Sequence, residues 1–388
     1  MFPASSENVP QIAVAKLYFS DDTVVQDVHF FASSSNSNKY YCLTAASHDR
    51  AVRLWNPMRV VVEDNDDSLL RANRKARQQT QPTAYSKLPC CLEVQTYRDG
   101  YAYDVSSVCV ARDVAGNAGD ALLAACQKTL VLTDLITAKV TRRLQHHHTG
   151  KINKVCSLDQ NLFVTASFDT TVALWDGRSR NSHRPIQVLK DATDSVTDLW
   201  ASHGPRRDTY FPYLYTSSVD GCVRCYDMRR GTLTVDNVGS PITSMAVTKN
   251  GENTSTQREL AVTCLDGTIR LLDASVGGAV QTTSDNLLLN TYSNSHTAGN
   301  FGIQVDCLAD SATIVSGSED GHVVLYDLVS ANCHAKLNAN LLHNGKPTCT
   351  IAAHPRDASV LITASYDTST IVWSSPQNYT RWGGGNET

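Results

Sequence analysis

The 388-residue chain has no long apolar run: no window approaches 18 apolar residues, which excludes a membrane-spanning helix. It has no basic excess, with 34 Lys and Arg against 38 Asp and Glu, which excludes a global field for nucleic acid. Its opening, "MFPASSENVPQIAV", has no basic segment followed by an apolar one, so we expect no secretory leader. The twelve cysteines lack the spacing of a disulfide framework and sit mostly inside apolar runs. They read as reduced core residues. No G-x-S-x-G, phosphate-binding loop or H-E-x-x-H occurs. The "HHH" at 146–148 has no Cys or carboxylate spaced to join it, and "CVRC" at 222–225 falls on a strand whose residues three apart face opposite sides. We therefore expect no enzyme, no cofactor and no metal.

What is present is a repeated phrase. It stands as "SHDRAVRLWN" (47–56), "ACQKTLVLTD" (125–134), "SFDTTVALWD" (167–176), "SVDGCVRCYD" (218–227), "CLDGTIRLLD" (264–273), "SEDGHVVLYD" (318–327) and "SYDTSTIVWS" (365–374). Each is an apolar run, an acidic step with small residues, and a second apolar run. The anchors are Asp49, Gln127, Asp169, Asp220, Asp266, Asp320 and Asp367. Apart from one gap of 78, they recur every 42 to 54 residues. That period, ending on Trp-Asp, marks four-stranded blades. It predicts an all-β fold, a seven-bladed WD-repeat β-propeller. "QIAVAKLYFS" (11–20) is a strand with no blade before it, and we expect it to close the ring as the outer strand of the last blade. Residues 11–375 then form one propeller, with tails at 1–10 and 376–388.

Within a phrase, the anchor caps the turn between the second and third strands. Ser167, two residues before Asp169, shares its strand face. Trp175 offers an indole N–H, and His148 lies 21 residues upstream, before the first strand. We expect a buried structural tetrad of His148, Ser167, Asp169 and Trp175, since buried polar groups need partners. The repeat anchors Asp49, Asp220, Asp266, Asp320 and Asp367 have fewer of these partners. Trp follows only in Trp55, Trp175 and Trp373, and His296 is a candidate for the sixth blade. This makes the third blade the most rigid expected.

The residue before each anchor sits on the rim: His48, Cys126, Phe168, Val219, Leu265, Glu319 and Tyr366. Large side chains there suggest a binding face, so His48, Phe168, Val219, Leu265 and Tyr366 are the candidate partner-binding rim. The alternative is that they tuck against neighbouring loops. The excess near 60–90 changes from acidic to basic and reads as an exposed insertion between outer strands. Its "DSLLRANRKARQQ" could form a short helix, and Arg71, Arg74, Lys75 and Arg77 could touch RNA or serve import.

Longer phrases carry a resemblance: "YYCLTAASHDRAVRLWNPMR" (40–59), "DTTVALWDGRSRNSHRPIQVL" (169–189), "SVDGCVRCYDMRRGTLTVDNVGSPIT" (218–243) and "SEDGHVVLYDLV" (318–329). With these the chain resembles the mitogen-activated protein kinase organizer family of WD-repeat proteins, also found as spliceosome-associated components. The resemblance covers most of 17–375 outside the insertions. It departs at residues 60–90, at Asp99, where a Gly-His step would stand, and at Gln127. It implies a non-catalytic scaffold, a monomeric propeller within larger complexes of the cytoplasm and nucleus. The implied partners are proteins, kinase-cascade or spliceosomal components; RNA is reached only indirectly, and no membrane. The alternative is a substrate receptor of a cullin-RING ubiquitin ligase. "VALWDGR" (172–178) and "VRCYDMR" (223–229) resemble the box read by that ligase's adaptor, with Arg178 and Arg229 as contacts.

Overall fold

The computed structural model describes residues 9–19, 23–32, 39–61, 85, 87–111, 120–179, 183–201, 213–248, 259–273, 288–293, 295–338 and 342–376. The candidate helix at 67–79 lies outside them.

The chain forms strand after strand, and consecutive strands pair antiparallel. β1 (Ile12–Lys16) precedes β2 (Val25–Ala32), β3 (Tyr40–Ala46), β4 (Val52–Val61) and β5 (Cys90–Tyr97). Then come β6 (Val105–Ala111), β7 (Ala121–Cys126), β8 (Thr129–Asp134) and β9 (Val140–Leu144). The next sheet holds β10 (Ile152–Ser157), β11 (Leu162–Ser167), β12 (Val172–Asp176) and β13 (Gln187–Leu189). It is followed by β14 (Val196–Ala201), β15 (Tyr213–Ser218), β16 (Cys222–Asp227) and β17 (Thr232–Asn237). β18 (Ile242–Val247), β19 (Glu259–Cys264), β20 (Ile269–Asp273) and β21 (Leu288–Tyr292) make another. β22 (Val305–Cys307), β23 (Thr313–Gly317), β24 (Val323–Asp327) and β25 (Cys333–Leu337) precede the last three, β26 (Thr348–Ala353), β27 (Leu361–Ser365) and β28 (Thr370–Ser374).

Five of these groups are separate four-stranded sheets. The remaining strands make one eight-stranded sheet in the order β2-β3-β4-β5-β1-β28-β27-β26. It divides into two four-stranded halves, and β1 is the outer strand of the second. β1 runs antiparallel to β28, with Ala13 opposite Trp373, and touches β5 in parallel at Lys16 and Cys90. The innermost strands β2, β6, β10, β14, β18, β22 and β26 each pack on the next, and β26 packs on β2. The sheets therefore stand radially around a central channel.

Position in the ring explains the patterning. Inner strands are covered on both faces by neighbouring sheets, so β6, "VSSVCVA", is buried at every residue and carries only apolar side chains and two small serines. The outermost β17 is exposed at five of its six residues, and "TLTVDN" is correspondingly mixed. The core lies between sheets rather than within them: Leu43 and Leu54 pack with Val108 and Val131, and Leu123 and Leu132 with Val155 and Trp175. All twelve cysteines are free: eight, among them Cys42, Cys264 and Cys307, are buried, three are half-buried, and Cys333 alone is exposed.

Candidate functional site

The acidic anchors have a common geometry. Each accepts the backbone N–H two residues on: Ala51 on Asp49 at 3.2 Å, Thr171 on Asp169 at 3.1 Å, Cys222 on Asp220 at 3.0 Å, and Ser369 on Asp367 at 2.9 Å. The residue between them has positive φ: glycine at 221, 267 and 321, but Arg50, Thr170 and Thr368 elsewhere. The side-chain acceptor closes the tight turn that joins the second and third strands.

The relay around Asp169 differs from the expected tetrad in one member. His148 Nδ1 lies 3.1 Å from Asp169 Oδ2, and its Nε2 lies 2.7 Å from Thr165 Oγ1. Trp175 donates its indole N–H to the same Thr165 hydroxyl at 2.9 Å. Thr165, not Ser167, is the hydroxyl of the relay. Both share one face of β11, but Thr165 lies one alternation step nearer the strand's middle, diagonal to Trp175 across the β11–β12 ladder. Ser167 sits at the strand end. It donates to Lys151 O at 3.0 Å and accepts the Asp169 N–H at 3.2 Å. Ser47, Ser218 and Ser365 likewise tie their turns to the carbonyls of Val24, Asp194 and Lys346.

A second relay was missed by the sequence reading. His343 Nε2 lies 3.1 Å from Thr363 Oγ1, which accepts the Trp373 indole N–H at 2.8 Å. His343 Nδ1 meets Ser369, whose hydroxyl reaches Asp367. His296 does not complete a relay on Asp320; its Nδ1 lies 2.7 Å from the Tyr326 hydroxyl. The Asp320 carboxylate meets Lys336 at 3.1 Å and His322 at 3.2 Å instead.

The turns between second and third strands, and the connections entering each innermost strand, share one face of the ring. There Phe168 is 66% exposed and Tyr366 40%. His48 is also exposed, and its backbone N–H reaches Asp104 Oδ1 at 3.3 Å. Val219 and Leu265 are half-buried, and Cys126 is buried against Tyr103. The face gains two aromatics that the repeat grammar did not single out. Phe301 packs on Tyr366 with ring centroids 5.3 Å apart, and Tyr103 is 61% exposed. Both stand in connections entering an inner strand, outside the repeated phrase. Among the described residues, the exposed aromatics are Tyr103, Phe168, Phe301 and Tyr366, and all lie on this face.

Phe168 and Tyr366 flank a cavity of about 300 Å³ in the central channel. Its walls come from the innermost strands and are polar. Asp27 Oδ2 accepts the Ser107 hydroxyl at 2.7 Å and the Val108 N–H at 3.0 Å on the neighbouring sheet. Asp198 Oδ2 accepts Ser244 Oγ and Met245 N, both at 3.0 Å, one sheet onward in the same way. Lys154 Nζ reaches Asp27 Oδ1 at 3.0 Å. Burial alone would lower the Lys154 pKa, but Asp27 and Asp198 overcome it and hold the ammonium charged. Burial raises the Asp198 pKa despite Lys154 and the N–H groups of Met245 and Leu199.

The opposite face carries the turns that leave the third strands. In five of them an Asp or Asn accepts the N–H two residues on: Met58 on Asn56, Ile136 on Asp134, Arg178 on Asp176, Arg229 on Asp227, Val329 on Asp327. The Arg178 side chain is 69% exposed, with its Nε 3.1 Å from Asp176 Oδ1. Arg229 is exposed as well. Arg71, Arg74, Lys75 and Arg77 lie outside the described residues. Among the described residues no cluster of His, Cys, Asp or Glu could hold a metal, and no helix is long and apolar enough to cross a membrane.

Radial four-stranded sheets, acidic strand-connecting turns and His–Thr–Trp relays define a WD-repeat β-propeller. Residues 138–176, 183–227 and 288–327 match the family model described as WD domain, G-beta repeat, so these three segments carry WD repeats. It is 28% identical over 279 residues to the WD repeat domain-containing protein 83 homolog of Dictyostelium discoideum, covering 66% of this chain and 78% of that protein. It is 33% identical over 187 residues to WD repeat domain-containing protein 83 of Rattus norvegicus, covering 47% and 49%. A shorter stretch of 115 residues is 36% identical to DDB1- and CUL4-associated factor 10 of Homo sapiens, covering 29% and 19%. The match thus spans about half the rat protein's length and under a quarter of the human one's. WD-repeat domains generally mediate protein–protein contacts as non-catalytic scaffolds.

Proposed function

We propose that the protein is a non-catalytic scaffold for protein complexes, of the mitogen-activated protein kinase organizer type, and that it also joins pre-mRNA splicing complexes. It works in the cytoplasm and nucleus, and RNA is reached through its protein partners. The observation that carries this reading is the gathering of the exposed aromatics Tyr103, Phe168, Phe301 and Tyr366 on one face of the ring. Solvent-facing aromatics of this size are enriched at the centres of protein interfaces. Similarity to the proteins named WD repeat domain-containing protein 83 supports the organizer type. The test is affinity purification of the tagged chain from its own cells with crosslinking mass spectrometry, beside a Phe168→Ala/Tyr366→Ala variant. Kinase-cascade and splicing proteins crosslinked to the aromatic face and lost in the variant are expected. An unchanged set of partners would sink the reading.

A second reading, a substrate receptor of a cullin-RING ubiquitin ligase, is favoured by one observation. Arg178 projects from its turn into solvent, as the adaptor box requires, and the chain shares a stretch with a protein named as DDB1- and CUL4-associated. In the same purification it expects a cullin and its adaptor, lost on Arg178→Ala and kept in the aromatic variant.

A further inference from the structure

We propose that β17, the outer strand of the β14–β17 sheet, pairs edge to edge with β17 of a second copy of this chain, so that the propeller self-associates about a two-fold axis. The edge lies on the outer wall of the ring, and the inference does not rest on the aromatic face.

An outer strand ends its sheet with unpaired backbone groups, and such edges are normally blunted by shortness, a bulge, a basic residue or a cover. The other outer strands described here are each blunted. β1 and β5 meet each other, and both carry register shifts. β9 shifts register against β8 and holds Arg142 and Arg143. β13 has only three residues. β21 and β25 shift register against their neighbours, and β25 holds Lys336. β17 has none of these devices. All six of its residues pair with β16 in unbroken register, from Asp227 opposite Thr232 to Cys222 opposite Asn237. "TLTVDN" contains no Lys, Arg or Pro, and it exposes Leu233 and Val235. Its one charged residue, Asp236, is half-buried.

The ladder decides which backbone groups face outward. Val238 N–H donates to Gly221 O at 2.8 Å, one step beyond the Cys222–Asn237 pair. Hydrogen-bonded pairs alternate in an antiparallel ladder, so Thr232, Thr234 and Asp236 turn their backbone groups to β16. Leu233 and Val235 turn theirs outward.

The strand is complementary to itself. Antiparallel pairing that sets Thr234 opposite Thr234 of the copy also sets Leu233 opposite Val235 and Val235 opposite Leu233. The outward backbone groups of these residues then exchange hydrogen bonds, and their four side chains form one apolar cluster. On the other face the two Thr234 hydroxyls meet, and each Asp236 faces a Thr232 hydroxyl. Burial raises the Asp236 pKa, which a donated hydroxyl would offset. No like charges stand opposite each other across the edge. A net charge of −4 leaves little repulsion between copies. Backbone groups alone would accept any strand; the side-chain match selects β17 itself. Six residues make a small interface, so the dimer should be weak and concentration-dependent rather than permanent.

The test is sedimentation equilibrium of the full chain from roughly 1 to 200 µM. A monomer–dimer equilibrium is expected, with a dissociation constant of roughly 10–100 µM. Val235→Lys, at an exposed position, should weaken it roughly tenfold or more while leaving the melting temperature unchanged. Thr234→Cys in a Cys333→Ser background tests the register. Residues opposite each other in a non-hydrogen-bonded pair have Cα atoms about 4.5 Å apart, within disulfide reach. Mild oxidation should therefore give a covalent dimer linked through position 234. Thr232→Cys in the same background faces position 236 of the copy and should not link to itself. A monomer throughout the range overturns the inference, even if β17 captures a different polypeptide. A dimer that Val235→Lys leaves intact, or one that links as well through position 232 as through 234, overturns it too.

Discussion

The guanidinium of Arg224 closes on the carboxylate of Asp220 with two parallel contacts, Nη2 to Oδ2 at 2.7 Å and Nη1 to Oδ1 at 3.2 Å. Both side chains are more than nine-tenths buried. The same pairing four residues apart joins Arg53 to Asp49 and Arg270 to Asp266. Where the residue four after the anchor is apolar, at Ala173, Val324 and Ile371, a histidine precedes the first strand instead: His148, His296 and His343. A buried carboxylate needs a donor partner, and the chain supplies it from the third strand or from the entering connection. His296 shows the limit of the rule, since it reaches Tyr326 rather than Asp320.

Removing the cation from such a pair leaves a buried charge alone. Arg224→Leu should therefore cost about 3–5 kcal/mol, within the range for breaking a buried ion pair. Arg224→Lys should cost less, keeping the charge but losing the two-pronged geometry. Chemical denaturation measures both; a loss under about 1 kcal/mol for Arg224→Leu would show the pair to be solvated.

The relay hydroxyl can be separated from its neighbour by paired variants. Thr165→Val keeps the shape but leaves the Trp175 indole N–H and a His148 ring nitrogen without partners. The expected loss is about 2–4 kcal/mol, from two orphaned buried groups. Ser167→Ala removes only bonds at the strand end and should cost about 1 kcal/mol. Reversal of that order in urea melts would restore Ser167 to the relay.

Acid should act in two steps, first on the relay and then on the Asp220–Arg224 pair. Burial lowers the His148 pKa, and the attraction of Asp169 only partly offsets it. The unfolded chain therefore takes up a proton at His148 near pH 6.5 that the folded chain resists. That contribution is complete above about pH 6.5 and is lost progressively below it. For Asp220 burial opposes ionisation, but Arg224 and backbone N–H groups hold its pKa down at about 2. Its stabilisation is present above the ordinary carboxylate range and is lost as pH falls from about 4 toward 2. NMR titration of the His148 ring checks the first step: a midpoint at or above about 6.5 would refute it.

How much of this was legible follows from what repeats. The anchors, the strand pairing around them and the closing strand at Ile12–Lys16 could be read because each blade must solve the same turn and the same packing. Serine two before the anchor recurs and so points to Ser167 as the relay hydroxyl, but Thr165 holds that place. The recurrence of serine reflects the turn-stapling bond to the entering connection. Thr44, Thr165 and Thr363, four or five residues before their anchors, are what the tryptophans bond. Phe301 and Tyr103 stand in connections of unequal length, where no register exists to align them. The channel charges Asp27, Lys154 and Asp198 come from three different blades, and only closing the ring brings them together.

Turn backbone offers a stabilising change. Thr170 has φ of 70° where the corresponding residues of other turns are Gly221, Gly267 and Gly321. A β-branched residue is strained there, by about 1–2 kcal/mol, against a smaller entropy cost for glycine in the unfolded chain. Thr170→Gly should raise stability by up to about 1 kcal/mol; a drop in the melting temperature would show that the threonine makes contacts worth more than the strain.

Ring closure yields the largest effect. β1 is the outer strand of the last blade, and its removal would leave β28 as an unpaired edge holding Trp373 and Ile371, both buried. The latch is reinforced from the far end of the 60–90 insertion. Tyr85 is fully buried; its hydroxyl donates to Leu17 O at 3.3 Å and accepts Thr370 N–H at 3.4 Å, and Lys16 Nζ donates to Tyr85 O at 3.2 Å. Deleting residues 1–20 should therefore lower the melting temperature by many degrees. Tyr85→Ala should cost about 3–5 kcal/mol, the range for emptying a buried aromatic site, and the two changes together should cost less than their sum because they share Lys16 and Leu17. Strict additivity in a double-mutant cycle would mean that the insertion's end and the closing strand hold the ring independently.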